Sequence, residues 1–281
     1  MEIAVLSHRR PDQVAPAMGT LRRMAAEAGA TLRFDPLEAE KHGVGPGEEG
    51  VVLDASPGTP DLCVVLGGDG TILAALRRYA GTGTPVFAVN FGEVGFLATV
   101  DPDRLEDGLS RALQGDFERL ALPALLVRLD GSEQRAINDV SFHRRQGLRV
   151  AYVSYAIGDD EIGRVRCDGL VVATPAGSTG YNLANGGPVM AWGVEGYVVS
   201  FIAPHSLTAR TLVVAPSDVL TVANRSAEEP ADVTVDGRVT CELAPGEAVD
   251  LRFVDGQAVL AQLPGASFYH RLREKFGRLA F

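Results

Sequence analysis

The chain has 281 residues, of which 46% are hydrophobic and 22% are charged, and this is enough to bury one or two cores. Its formal net charge of −10 argues against a nucleic-acid partner, because such binding needs many cations to meet phosphates. No apolar run approaches the roughly 18 residues that span a bilayer, and the chain begins with an acid, Glu2, unlike a signal peptide. We therefore expect a cytoplasmic protein without a membrane partner.

The number and spacing of the cysteines and lysines argue against metal, disulfide and Walker-type phosphate sites. Cys63, Cys167 and Cys241 are widely spaced and form no C-x-x-C pair, so neither a zinc site nor a disulfide framework is expected. Lysine occurs only at positions 41 and 275, and neither follows a glycine as in the G-x-x-x-x-G-K-[ST] loop. A phosphate site of the Walker type is therefore excluded.

The first third of the chain alternates between short apolar runs, typical of strands, and apolar residues at helical spacing. Strands are predicted at 3–6, 31–34, 62–66 and 85–89, and helices at 14–28, 72–80 and 101–114. The uninterrupted apolar run at 62–66 is typical of a strand buried on both faces of a parallel sheet. Residues 41–50 hold glycine, proline and acids without periodicity, which predicts an exposed loop.

The pattern changes near residue 120. From there to residue 263 many valine-rich runs are separated by turn signals such as Asp130-Gly131 and Asp236-Gly237, and no long helix is predicted. Apolar residues at helical spacing then predict a closing helix. We therefore predict an α/β + β fold, with an N-terminal α/β domain over 1–118, a β-rich, sandwich-like domain over 119–264 and a C-terminal helix over 265–281 that packs on the first domain.

A glycine-rich turn with a single carboxylate follows the strand predicted at 62–66. It reads Gly67, Gly68, Asp69, Gly70 and Thr71. Glycines between a strand and a helix let phosphate oxygens approach backbone N–H groups, and the helix N-terminus favours anions. A carboxylate beside phosphates is repelled unless it holds a divalent cation or takes a proton, so Asp69 is predicted to be a Mg²⁺ ligand or a base. A tight turn capped by an aspartate is the structural alternative.

Two later segments are also polar and rich in glycine. Residues 90–97 read Asn-Phe-Gly-Glu-Val-Gly-Phe-Leu and, taken alone, indicate only a turn. Residues 168–188 place a loop of Gly, Ser and Thr after a valine-rich strand. Its hydroxyl and N–H groups can bind a ribose or a phosphate, and Tyr181 offers a ring that can stack on a base. Its composition equally suits a surface turn.

Together these segments resemble the NAD kinase family. The turn GGDGT is shared with diacylglycerol and sphingosine kinases and, more distantly, phosphofructokinases, whereas residues 168–188 are similar to the NAD kinase signature D-G-x-x-x-x-T-P-x-G-S-T-A-Y…G-G-P. Asn138-Asp139, the block 205–213 and Val235-Asp236-Gly237 follow the family's order as well. The chain departs from the usual pattern at Ala176, Gly180 and Arg238.

The resemblance implies an α/β domain followed by a β-rich domain, with the active site between them. It also implies transfer of the γ-phosphate of ATP, with Mg²⁺, to the 2′-hydroxyl of the adenosine ribose of NAD, giving NADP. By resemblance, Asp69 is the base, Gly70 belongs to the same site, and the phosphate-donor loop is Gly67, Gly68, Gly70 and Thr71. The implied NAD contacts are Asp69, Gly70, Asn138, Asp139, Arg149, Arg166, Asp168, Thr179, Gly180, Tyr181, Asn182, Leu183, Ala184 and Arg238.

Several alternatives stay open at this stage. Inorganic polyphosphate as a second donor, NADH as acceptor and the strength of feedback by NADP are not decided by any residue of the sequence. The resemblance implies a homodimer or homotetramer, and no metal ligand set from the protein is predicted. His8, Arg9 and Arg10 suit donor phosphates or a plain basic loop. A diacylglycerol-type lipid kinase and a non-catalytic NAD or NADP sensor are the rival functions.

Overall fold

The computed structural model describes residues 1–93, 95–145, 147 and 149–277. Val94 of the 90–97 segment and residues 278–281 of the predicted C-terminal helix lie outside the described residues. The chain forms two compact units, which we call unit 1 (Met1–Ala121 and Ala258–Phe281) and unit 2 (Leu122–Gln257). No helix in the described part of the chain is long and apolar enough to cross a membrane.

The elements follow one another along the chain in three stretches. The first contains β1 (Glu2–Ser7), α1 (Ala15–Glu27), β2 (Thr31–Phe34), α2 (Pro36–Lys41), β3 (Val51–Leu53), β4 (Leu62–Gly67), α3 (Asp69–Arg78), β5 (Pro85–Asn90) and α4 (Leu105–Leu113). The second contains β6 (Glu118–Leu129), β7 (Ser132–Ala136), β8 (Asp139–Arg144), β9 (Ala151–Ile157), β10 (Asp160–Cys167), β11 (Gly169–Ala173), α5 (Tyr181–Ala184), β12 (Tyr197–Ile202), β13 (Leu212–Val214), β14 (Leu220–Asn224), β15 (Ala231–Val235) and β16 (Arg238–Leu243). The last contains β17 (Ala248–Gln262) and α6 (Phe268–Phe276).

Unit 1 is built on a parallel sheet with the strand order β17-β5-β4-β1-β2-β3. Every residue of β4 and β5 is buried, as expected for central strands of a parallel sheet with both faces covered. The helix α1 buries Met18, Leu21 and Ala25 at helical spacing, and these residues share one core with the sheet residues Leu66 and Phe87. The carboxyl ends of the parallel strands β1, β4 and β5 therefore lie at one edge of the sheet.

Unit 2 consists of antiparallel sheets. One has the strand order β13-β12-β11-β8-β15-β16, and in the other β9 pairs with β10 and β14, which in turn pairs with the first residues of β17. Side chains such as Phe142, Tyr197 and Val222 form its core. Because β8 lies between β11 and β15, the segments that precede or follow these three strands come close together.

The α/β + β prediction is confirmed, and the predicted strands at 3–6, 31–34, 62–66 and 85–89 lie within β1, β2, β4 and β5. The strand β3 and the helix α2 were not predicted from the sequence, since elements of three and six residues are too short for periodicity to detect. A local signal existed for α2: the Asp35 carboxylate accepts a hydrogen bond from the Leu37 N–H at 3.0 Å, and Pro36 follows it. The boundary between the units at 257/258 falls inside β17, where no composition change marks it.

Candidate active site

Asp69 is the first residue of α3, two positions after the buried strand β4 ends at Gly67. Its carboxylate accepts two backbone hydrogen bonds, from the Phe96 N–H at 3.0 Å and from the Leu97 N–H at 2.8 Å. Both carboxylate oxygens are engaged, one by each amide. The side chain is therefore fixed in direction while it stays partly exposed at the N-terminus of a helix, where anions are favoured.

The loop that supplies those two amides depends on Asn90 and Gly95. Gly95 has a φ of +65°, and a Cβ at this position would lie 2.2 Å from the Asn90 Nδ2 atom, so only glycine fits. The Asn90 side chain is held in turn, since Nδ2 donates to Asp101 Oδ1 at 3.0 Å and Oδ1 accepts the Gly92 N–H at 3.0 Å. The family-like residues of this segment thus shape the loop, and its amides contact the carboxylate.

In unit 2, Asp236 organises the segment that contains Asn138 and Asp139. Its carboxylate accepts hydrogen bonds from three consecutive backbone N–H groups, those of Ile137 at 3.0 Å, Asn138 at 2.8 Å and Asp139 at 3.1 Å. Asp236 lies in the turn between β15 and β16 with a φ of +48°. From the sequence, Asp236-Gly237 is predicted to be a hairpin turn and a family motif, and nothing in it predicts this contact with the 137–139 segment.

The loop after β11 packs directly against the same segment. The Thr174 hydroxyl donates to the Ile137 carbonyl at 2.6 Å, and the Thr174 N–H donates to the Asn138 carbonyl at 2.9 Å. A Cβ on Gly177 would lie 2.0 Å from the Asn138 carbonyl oxygen, so glycine is required by this close approach. The predicted contacts Asn138, Asp139 and the 174–184 loop are therefore brought together.

Two side chains of that loop stabilise its conformation through hydrogen bonds to backbone groups. The Ser178 hydroxyl donates to the Pro175 carbonyl at 2.7 Å and accepts the Met190 N–H at 2.9 Å. The Asn182 amide donates to the carbonyls of Ser178 and Pro188 at 2.9 and 3.0 Å, and the side chain is fully buried. Asn182, predicted as an NAD contact, thus holds the shape of the loop.

The Tyr181 ring remains available on the surface. It is 39% exposed and stacks on the His143 ring with 5.6 Å between centroids. Thr179 donates to the Ala176 carbonyl at 3.2 Å. Gly180, Ala184 and Arg238 are exposed, and Leu183 is half-buried.

Arg166 and Asp168, predicted to share one face of a strand, have separate surroundings. The Asp168 carboxylate accepts a hydrogen bond from the Arg144 Nε at 2.6 Å, a partner that the sequence did not suggest. The Arg166 guanidinium lies 4.9 Å from the centre of the Tyr152 ring, a cation–π contact. Arg149 and Arg166 line the same cavity of about 340 Å³, together with Arg225, Tyr152 and the two acids Glu228 and Glu229.

Asp139 is the buried carboxyl group of this site. It is 7% exposed, and burial raises its pKa to about 7, with a further contribution from the nearby negative charge of Asp236. A raised pKa means that the folded protein binds this proton more tightly than the unfolded chain. The resulting stabilisation is present at low pH and is lost as the pH rises towards and through 7.

The Asp139→Asn variant should therefore remove a pH dependence of stability. We expect its free energy of unfolding, relative to that of the wild type, to increase between pH 4 and pH 8 by up to about 4 kcal/mol, because a buried charge no longer forms. Urea unfolding at each pH measures this difference. Asp159→Asn, in an exposed turn, is the control. A difference between Asp139→Asn and wild type that stays constant over this range would contradict the prediction.

A glycine-rich turn with one oriented carboxylate, a loop rich in hydroxyl groups, and a cavity lined by three arginines are features of an enzyme that transfers phosphoryl groups between nucleotides. Comparison with known proteins identifies the family. Residues 21–117 match the ATP-NAD kinase N-terminal domain, and residues 137–263 match the ATP-NAD kinase C-terminal domain. The chain belongs to the NAD kinase family, and it is an enzyme that phosphorylates NAD to NADP.

Relatives and solved structures agree with this membership. The NAD kinase of Gemmatimonas aurantiaca is 37% identical over 285 residues, with 99% of this chain and 96% of that protein covered. The NAD kinase of Symbiobacterium thermophilum is 34% identical, with 96% of each chain covered. The structure of an NAD kinase from Archaeoglobus fulgidus in complex with ATP is similar, with a TM-score of 0.73, 25% identity, and coverage of 99% of this chain and 98% of that one. Yeast NADH kinase complexed with NADH shares the fold, with a TM-score of 0.88, 20% identity, and coverage of 100% of this chain and 89% of that one.

Proposed function

We propose that the chain transfers the γ-phosphate of ATP to the 2′-hydroxyl of the adenosine ribose of NAD, with Asp69 as the proton acceptor. The observation that supports this role is the geometry of Asp69, whose two oxygens are held by the Phe96 and Leu97 amides at 3.0 and 2.8 Å. An oriented carboxylate at a partly exposed helix N-terminus suits a base for an incoming hydroxyl group.

In this reaction the 2′-oxygen attacks the γ-phosphorus while its proton passes to Asp69. A bond forms between the 2′-oxygen and phosphorus, the bond from the γ-phosphorus to the bridging oxygen breaks, and ADP leaves. Each Asp69 oxygen accepts one N–H and retains a lone pair for the proton. The turn of Gly67, Gly68, Gly70 and Thr71, where β4 ends and α3 begins, is proposed to receive the donor phosphates. Because the Thr71 N–H donates to the Gly68 carbonyl at 2.9 Å, Thr71 offers its hydroxyl group rather than its amide.

A divalent cation, Mg²⁺, fits this site as a companion of the donor. Among the described residues no group of three or more His, Cys, Asp or Glu side chains is arranged to hold a metal. Mg²⁺ commonly keeps several waters and binds substrate phosphates, so it would be carried by the ATP phosphates, and Asp69 is left to accept the proton. When bound, the cation supplies positive charge that neutralises the phosphate oxygens.

The NAD contacts other than Asp69 and Gly70 are proposed within unit 2. The Asn138 Oδ1 is buried without a hydrogen-bond partner among the described residues, and it offers an acceptor to a ribose or adenine donor. The exposed Tyr181 ring offers stacking to a base, and Arg149 and Arg166 offer charge to a pyrophosphate from one cavity. Asp139, Asp168, Thr179, Gly180, Leu183, Ala184 and Arg238 complete the proposed set, with Asn182 acting through the shape of the loop.

The test is to incubate the purified chain with NAD, ATP and MgCl₂ and to quantify NADP with an NADP-specific dehydrogenase. We expect NADP to accumulate, and EDTA to abolish its formation. Replacement of ATP by inorganic polyphosphate shows whether a second donor is accepted. A folded chain that binds NAD but forms no NADP with either donor would contradict the proposal and favour a dinucleotide sensor. The cytoplasmic location and the homodimer or homotetramer stay predictions.

A further inference from the structure

The side chain of Arg271, on α6, contacts the loop that holds Asp69 from the side opposite the carboxylate. Its Nη1 donates to the Phe96 carbonyl at 2.8 Å and also to the Ala98 carbonyl. Its Nη2 donates to the Gln262 Oε1, at the end of β17, at 2.7 Å. One planar guanidinium thus joins the 96–98 backbone to the central sheet of unit 1.

The Phe96 carbonyl and the Leu97 N–H belong to the same peptide group. The carbonyl accepts from Arg271, and the N–H donates to Asp69 Oδ1 at 2.8 Å. A hydrogen bond at each end of a peptide group polarises it, so each bond strengthens the other. The guanidinium therefore both fixes the plane of this peptide and makes its N–H a better donor to the carboxylate.

The surroundings of Arg271 hold it in this position. Burial lowers the pKa of its guanidinium, and the negative charges of Asp69, Asp101 and Glu274 oppose that shift. The rings of Phe96 and Phe268 meet edge to face with 5.7 Å between centroids, which fixes the start of α6 against the same loop. The packing of α6 thus holds the Arg271 guanidinium, with its positive charge, against the 96–98 segment.

We propose that Arg271 is a positioning residue for the proton acceptor: by fixing the Phe96–Leu97 peptide group, it fixes the direction of the Asp69 carboxylate. This inference rests on the proposed function. A lysine cannot reproduce the contact, since a single ammonium group lacks the planar fork that reaches two carbonyls and an amide oxygen together. The C-terminal helix, which no motif of the sequence analysis assigned to the site, thereby acts on the reaction.

The test compares kcat and KM in the full chain for Arg271→Gln, Arg271→Lys and the control Arg273→Gln, an exposed arginine on the same helix. A misplacement of about 1 Å at a reacting group costs about 100-fold in rate. We expect Arg271→Gln to lower kcat by about 30- to 100-fold, with the KM values for NAD and ATP within about threefold of wild type. Arg271→Lys should recover only part of the loss, and Arg273→Gln should stay within about twofold.

Loss of helix packing must be separated from loss of positioning. Leu272→Ala removes a buried side chain from α6 without touching the guanidinium. If Leu272→Ala lowers Tm as much as Arg271→Gln does and lowers kcat as much, Arg271 acts only through packing and the inference is overturned. We expect the Leu272→Ala variant to keep kcat within about threefold of wild type at a temperature where both variants are folded.

A double-mutant cycle with Asp69→Asn separates this inference from the proposed function. If Arg271 acts through Asp69, Arg271→Gln should lower the residual kcat of Asp69→Asn by less than about threefold. An equal loss in both backgrounds overturns the inference and leaves the proposed function intact. Wild-type kcat in Asp69→Asn alone overturns the proposed role of Asp69 as proton acceptor, and with it the role of Arg271.

Discussion

Replacement of Asp69 by asparagine should lower kcat by about two to four orders of magnitude, because the 2′-hydroxyl loses its proton acceptor. The affinity for NAD should change only a few-fold, since all the proposed dinucleotide contacts except Asp69 and Gly70 lie in unit 2. Steady-state formation of NADP measures kcat, and equilibrium titration with NAD measures affinity. Asparagine also has a single oxygen for the two amides of Phe96 and Leu97, so a loss of about 1 to 2 kcal/mol in the free energy of unfolding is expected.

The control for this variant is Asp12→Asn, which removes the same charge from an exposed position of unit 1. It should retain wild-type kcat, which shows that a change in net charge alone does not slow the reaction. Near-wild-type turnover by a folded Asp69→Asn protein would contradict the assignment of the base. Loss of NAD binding together with turnover would show that Asp69 acts mainly as a binding residue.

The Asp236→Ala variant should strongly destabilise unit 2. Three consecutive amides, of Ile137, Asn138 and Asp139, lose their acceptor together, and each buried N–H left unpaired costs about 1 to 3 kcal/mol. We expect the free energy of unfolding to fall by about 3 kcal/mol or more, and the affinity for NAD to fall by at least about tenfold because the 137–139 segment is no longer held. Urea unfolding and NAD titration measure the two effects.

Asp130→Ala is the matched control, since Asp130 also precedes a glycine in a hairpin turn and has a φ of +47°, against +48° for Asp236. The alanine therefore meets the same backbone strain in both variants. The excess loss in Asp236→Ala reports the three amide contacts. If the two variants lose the same free energy of unfolding, the loss comes only from the turn conformation and not from the three amide contacts.

Much of the fold and the identity of the site follow from local features of the sequence. The run at 62–66 is apolar throughout because β4 is buried on both faces. Where β4 gives way to α3, a Cβ on Gly67 would lie 2.7 Å from the Thr71 side chain and a Cβ on Gly68 would lie 3.0 Å from the Gly92 Cα. The loop of residues 168–188 is likewise one continuous segment. Such signals lie within about 20 residues of each other and depend on backbone conformation and burial, which each residue type favours or disfavours locally.

The tertiary structure alone decided what holds these segments in place. The Asp69 carboxylate meets amides 27 and 28 residues away, Asp236 meets amides 97 to 99 residues away, and Arg271 reaches a carbonyl 175 residues away. Backbone N–H and C=O groups are the partners in all three cases, and every residue type supplies them. No pattern of side chains therefore marks such contacts in the sequence, and only the folded chain determines which peptide groups orient the carboxylate and which bury Asp139.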